Sequence, residues 1–94
     1  MRKLKIVSVE SVLAEEDYML LIYFTDGEVK RFNMKPYLEY GLFKELKSKE
    51  KFDKVYVDAM DEIVWQNGAG IGADTLYIKG EKDDTIKSII RSKG

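Results

Sequence analysis

The segment YMLLIYFT at residues 18–25 limits the fold more than any other part of the chain. It is almost wholly apolar and rich in Ile, Tyr and Phe, side chains that fit a pleated surface. An unbroken apolar run of this length predicts a central strand covered on both faces. Asp26–Gly27 follows, and EVKRFN then reads as the returning strand. An Asp-Gly pair between strands is a strong hairpin signal, because glycine adopts positive φ without steric cost. Val29 and Phe32 do not alternate strictly, which leaves the inner face of the returning strand open.

Upstream, LKIVSVESVLA at 4–14 reads as a strand with a bulge near Ser8–Ser11, and EED at 15–17 as a charged turn. Downstream, Pro36 breaks the sheet pattern and suits the first position of a short helical turn holding Tyr37 and Leu38. Beyond Gly41, LFKELKSKEKF places Leu42, Phe43 and Leu46 at helical spacing, with Glu45 and Lys49 as an i, i+4 pair. FDKVYVDA (52–59) and EIVWQ (62–66) read as a second hairpin, and Asn67–Gly68 as the turn after it. In AGIGADTLYIKG, Asp74 suits an N-cap and Gly80 a helix stop, with TLYI as one helical turn between them. In the tail EKDDTIKSIIRSKG, Ile86, Ile89 and Ile90 fall at i, i+3 and i+4, with acidic residues before and basic residues after. The expected architecture is α+β. A small, mostly antiparallel sheet of about five strands, in the order βββ-α-ββ, carries one amphipathic helix. Residues 1–80 form this single domain, and 81–94 form a C-terminal helical extension.

A chain of 94 residues has room for one domain. Its 45% hydrophobic content, with a single Pro, is too apolar for disorder. The N-terminal stretch alternates polar and apolar residues in place of a signal-peptide core, and no apolar run reaches the length of a membrane span. A cytoplasmic protein off the membrane is expected. The formal net charge of −1 lacks the basic excess of a phosphate-neutralising nucleic-acid binder.

The chain has neither His nor Cys. That removes the commonest general base, the commonest transition-metal ligand and the thiol nucleophile. Asp53, Asp58, Asp61 and Glu62 form the densest carboxylate group, which could face a hard cation but reads more simply as a solvated hairpin turn. Gly68, Gly70 and Gly72 have the spacing G-x-G-x-G, which is neither a dinucleotide fingerprint nor a Walker loop. They read as a tightly bent connector. No catalytic, cofactor-binding or metal-ligating residue is assigned. The Ile86, Ile89 and Ile90 stripe is the candidate partner-binding surface, either covering the sheet of its own chain or docking into a second one.

Several segments together resemble the bacterial family known as domain of unknown function 2442. They are YMLLIYFTDGEVKRFN, the pair Tyr37–Leu38, Gly41-Leu42-Phe43 leading into a Leu-bearing helix, Phe52 opening the next strand, and EIVWQNGAGIGADTLY. The last is the most specific. Where the family reads like W-P-N-G-x-D-I-x-P-D-x-L-Y, this chain keeps Trp65, Asn67, Gly68, Ile71, Asp74, Leu76 and Tyr77. It departs at Gln66, Gly70 and Ala73, so any role of an acidic side chain at position 70 is not carried over. The resemblance implies a small α+β fold without an established activity. It also implies a neighbouring small partner protein in a toxin–antitoxin-like pairing; the DNA-binding helix-turn-helix of some members has no room here. Trp65, Asn67, Gly68, Asp74, Leu76 and Tyr77 are read as structural, with Leu76 and Tyr77 folding back near Trp65 and Asp74 capping a helix. The expected function is a non-catalytic protein-interaction module, acting as an accessory or antitoxin-like subunit with a protein partner or a second copy. The alternatives are a nucleic-acid-binding regulator and, behind it, a small enzyme using Asp58, Asp61 and Asp74.

Overall fold

A computed structural model describes residues 7–82. Strands β1 (Val9–Glu15), β2 (Met19–Phe24) and β3 (Val29–Asn33) form an antiparallel meander. The chain returns much later as β7 (Glu81–Lys82), pairing with the outer edge of β3. This sheet has the order β1-β2-β3-β7. Strands β4 (Tyr56–Val57), β5 (Ile63–Val64) and β6 (Gly70–Ile71) form a second antiparallel sheet. Helices α1 (Lys49–Phe52) and α2 (Ala73–Lys79) and three 3-10 turns complete the described chain. The α+β class and the antiparallel pairing hold, and the strands divide between two sheets. The glycine segment supplies β6 and so makes the second hairpin three-stranded. Glu81 and Lys82 join the first sheet, whereas Ile86, Ile89 and Ile90 lie outside the described residues. No helix among the described residues is long and apolar enough to cross a membrane.

The central position of β2 follows from its side chains. Leu20, Ile22 and Phe24 point to one face and are almost completely buried there. Each such burial stabilises by about 1.5–3 kcal/mol. Leu21 is buried on the opposite face. It pairs with Arg31 on one side, while Glu15 pairs with Met19 on the other, so the 2.8 Å Arg31–Glu15 bridge spans β2 beside it. The register of β1 shifts between Val9 and Ser11, where the bulge is expected. In β3, Phe32 and Lys30 share the core side with Leu20 and Ile22, which settles the inner face.

Three hairpin loops repeat one design. Phe24 N–H donates to the Glu28 carbonyl, Asp58 N–H to that of Glu62, and Trp65 N–H to that of Ala69. Each encloses three residues ending at positive φ: Gly27 (92°), Asp61 (63°) and Gly68 (97°). A type I turn closed by a left-handed residue has this form. In each loop an Asp or Asn oxygen accepts backbone N–H groups: Asp26 from Glu28, Asp58 from Met60 and Glu62, and Asn67 from Ala69. The Asp58 carboxylate is thus occupied in building its turn. The β1–β2 turn differs, with both Asp17 and Tyr18 at positive φ. A bulky residue there is held by its surroundings. Tyr18 donates to the Lys47 carbonyl and meets Phe52 edge-on at 5.2 Å, while Lys35 binds Asp17.

The single amphipathic helix expected over 42–52 is divided. Gly41–Lys47 is a 3-10 helix, Ser48 is extended, and α1 is one turn. The core explains the break. Leu46 and Phe52 are both fully buried, yet on a continuous α-helix they would project about 120° apart. The interruption at Ser48 lets both face inwards. Leu42 turns out to be half exposed. Glu45 and Lys49 are separated by the break: Lys49 pairs with Asp53 at 2.6 Å, and Glu45 accepts from Asn67.

Candidate functional site

The two parts of the family motif lead to different places. Trp65 and Asn67 stitch the β5–β6 hairpin to the 41–52 segment. The buried Trp65 indole N–H donates to the Phe52 carbonyl at 2.9 Å. Its ring stacks on Phe52 (6.1 Å, 29°) and meets Phe43 edge-on at 6.3 Å. The Asn67 amide donates to the Leu42 carbonyl and to Glu45 Oε1, both at 3.0 Å, while its oxygen shapes its own turn. Gly68 needs its positive φ, and a Cβ there would come within 3.5 Å of Leu42 Cδ1.

The seam between these segments opens as a groove of about 380 Å³. Leu46 and Trp65 lie on its apolar side, with Glu45, Glu50, Lys51, Lys54, Gln66 and Asn67 around them. Leu42, whose carbonyl accepts from Asn67, is 51% exposed, and Tyr40, two residues before it, is 67% exposed. The groove carries two acidic and two basic residues, so shape and apolar contact count for more there than net charge.

Leu76 and Tyr77 form the second part. Leu76 is fully buried in the shared core, but Tyr77 turns away from Trp65 to the β2–β3 hairpin. Its ring meets Phe24 edge-on at 4.9 Å and its hydroxyl donates to Asp26 Oδ2 at 2.6 Å. Lys30, only 8% exposed, places Nζ 3.7 Å from the Tyr77 ring centroid. The same ammonium donates to the Tyr77 carbonyl at 2.5 Å, in the last turn of α2, where a cation satisfies an orphan carbonyl. Gly80 closes this clasp for reasons of space, since its φ is ordinary at −73°. A Cβ there would sit 2.6 Å from the Leu76 carbonyl oxygen and 3.2 Å from Lys30 Cβ. Asp74 does not cap the helix as expected: the N-cap is Gly72, no side chain caps it, and Asp74 stands exposed in the first turn. The helix starts earlier because Gly72 follows β6 directly.

Tyr77 titrates abnormally. Its hydrogen bond to Asp26 is lost on ionisation, and burial and the Asp26 and Glu28 charges add to that cost, pushing its pKa from 10.0 up to about 12. The folded chain keeps this proton where an unfolded tyrosine has released it. The stabilisation is therefore complete below about pH 10 and is lost as pH rises through about 12. The stability gap between wild type and Tyr77→Phe, measured by urea denaturation, is expected to shrink across that window. A gap independent of pH would show that the phenol and Asp26 are not coupled.

Sequence reasoning missed Lys30, whose only local signal was a charge beside Phe32 on a strand of uncertain face. Among the described residues no three acidic side chains converge as a metal site. The family model described as "Protein of unknown function (DUF2442)" matches residues 9–82, a span containing both parts of the motif. Neither the curated proteins nor the solved structures gave a significant match. With its turns, its Trp65–Asn67 stitch and its Tyr77 clasp all inside the matched span, the chain belongs to the DUF2442 family of proteins of unknown function.

Proposed function

We propose that the protein is a non-catalytic interaction module, a cytoplasmic accessory or antitoxin-like subunit that docks a protein partner at the groove between the 41–54 segment and the Trp65–Gly68 turn. The observation that carries this reading is exposed Leu42, whose backbone the motif fixes through the Asn67 amide, with exposed Tyr40 two residues before it in the chain. Large apolar side chains carried on a braced backbone suit protein contacts, because little backbone entropy remains to be lost when they are buried. The groove supplies adjacent polar groups of both signs, as in the rim of a non-obligate interface.

The test compares wild type with Leu42→Asp and Tyr40→Asp. Both positions are exposed, so the thermal midpoint is expected to stay within a few degrees. Affinity capture from the native host should return one stoichiometric protein with wild type, and about tenfold less or none with either variant. Equal recovery by the variants, or no stoichiometric protein at all, would remove the groove from consideration.

A further inference from the structure

We propose that the outer edge of β1 is a strand-addition site for an extended, basic segment of a partner protein. The sheet order places β1 at an edge, and at seven residues it is the longest strand among the described residues. No described residue outside the sheet pairing with β2 forms a backbone hydrogen bond to Val9–Glu15. Strand β4 packs against β1 without such a bond. At two residues it spans about 7 Å of the roughly 23 Å of β1. An edge of this length is a template for another strand unless it is protected by lysine, proline or a cover. Here there is neither Lys nor Pro between residues 7 and 29, and the bulge between Val9 and Ser11 is the one irregularity.

Charge selects the occupant. Residues 7–29 carry only acidic ionic side chains. Glu15 is engaged by Arg31 and Asp17 by Lys35. Glu10 and Glu16, exposed near opposite ends of β1, pair with no described residue. Between them Leu13 is 54% exposed. A second copy pairing antiparallel about Leu13 would bring the exposed Glu10 of each chain to the end where the other carries Glu16 in its turn. Such an approach of like charges is unfavourable. A strand with Lys or Arg near each end and apolar residues between meets both carboxylates and Leu13. Main-chain bonds supply the affinity of such an addition, and the side chains supply its selectivity.

This surface is separate from the groove, so either reading can fail alone. The probe is a short synthetic peptide alternating Thr and Val between terminal lysines, added to the full chain and followed by amide NMR. Binding is expected to slow exchange of alternate amides in β1 by about tenfold or more. The same peptide with terminal glutamates, or N-methylated at alternate residues, is expected to bind at least about tenfold more weakly. Glu10→Lys with Glu16→Lys should weaken the lysine peptide similarly, whereas Leu42→Asp should leave it unchanged. The proposal is overturned if the glutamate peptide binds equally or if protection falls outside β1. It is also overturned if those alternate amides are already protected in the free chain, which would mean that the edge is closed by the chain itself or by a second copy.

Discussion

Trp65→Ala is expected to remove much or all of the stability of the domain. Removing a buried Trp side chain costs about 3–5 kcal/mol through lost transfer energy and the cavity left behind. The Phe52 carbonyl then loses its indole donor, and an unsatisfied buried acceptor adds about 1–3 kcal/mol. A domain of this size has a total stability of about 5–14 kcal/mol, so the sum consumes much or all of it. Trp65→Phe separates the two contributions, because it keeps a ring against Phe43 and Phe52 and removes only the donor and some area. Its expected cost is about 1–3 kcal/mol. Trp65 is the sole tryptophan, so the series is followed by far-UV circular dichroism in urea and not by intrinsic fluorescence. If Trp65→Ala melted within a few degrees of wild type, the stitch between the hairpin and the 41–52 segment would not be a source of stability.

Lys30→Glu is the second large effect, expected at about 3–5 kcal/mol, the usual scale for an uncompensated buried charge. The ammonium sits over the Tyr77 ring and satisfies the Tyr77 carbonyl. A carboxylate would meet that carbonyl, the negative ring face and a ring already influenced by Asp26 and Glu28. Lys30→Met keeps the length of the stem and removes the charge. It should lose only the charge-assisted bond, about 1.5–3 kcal/mol. The expected order of urea midpoints is wild type, then Met, then Glu. A Glu variant as stable as the Met variant would show that Lys30 acts through its stem alone.

These two residues contrast in how far their roles could be read beforehand. Trp65 lies in a motif, and its structural role was legible, as were the hairpin at Asp26–Gly27, the turn at Asn67–Gly68 and the bulge in β1. The hairpin, the turn and the bulge depend on neighbours a few residues away, so local pattern suffices for them. The family motif was also legible as one unit along the chain. It was not legible that its halves serve opposite ends of the fold. Trp65 closes on Phe52, and Tyr77 closes on Asp26, 51 residues away. Position alone could not assign Tyr77 to one hairpin or the other.

The split of the 42–52 helix shows the same limit. Leu42, Phe43 and Leu46 satisfy a helical period, and local propensity has no objection to continuing it through Ser48. The demand that both Leu46 and Phe52 reach one core comes from elsewhere in the chain, and it overrides the period. Lys30 is the converse case. A lysine in a strand reads as solvent-facing, and it becomes a buried clasp only because α2 brings a carbonyl and an aromatic face to it. Strand β2, within the apolar run at residues 18–25, owes its central place to its own side chains. Which helix, turn and edge came to surround it was decided by contacts between residues far apart in the chain, where only folding the whole molecule determines which polar groups find partners.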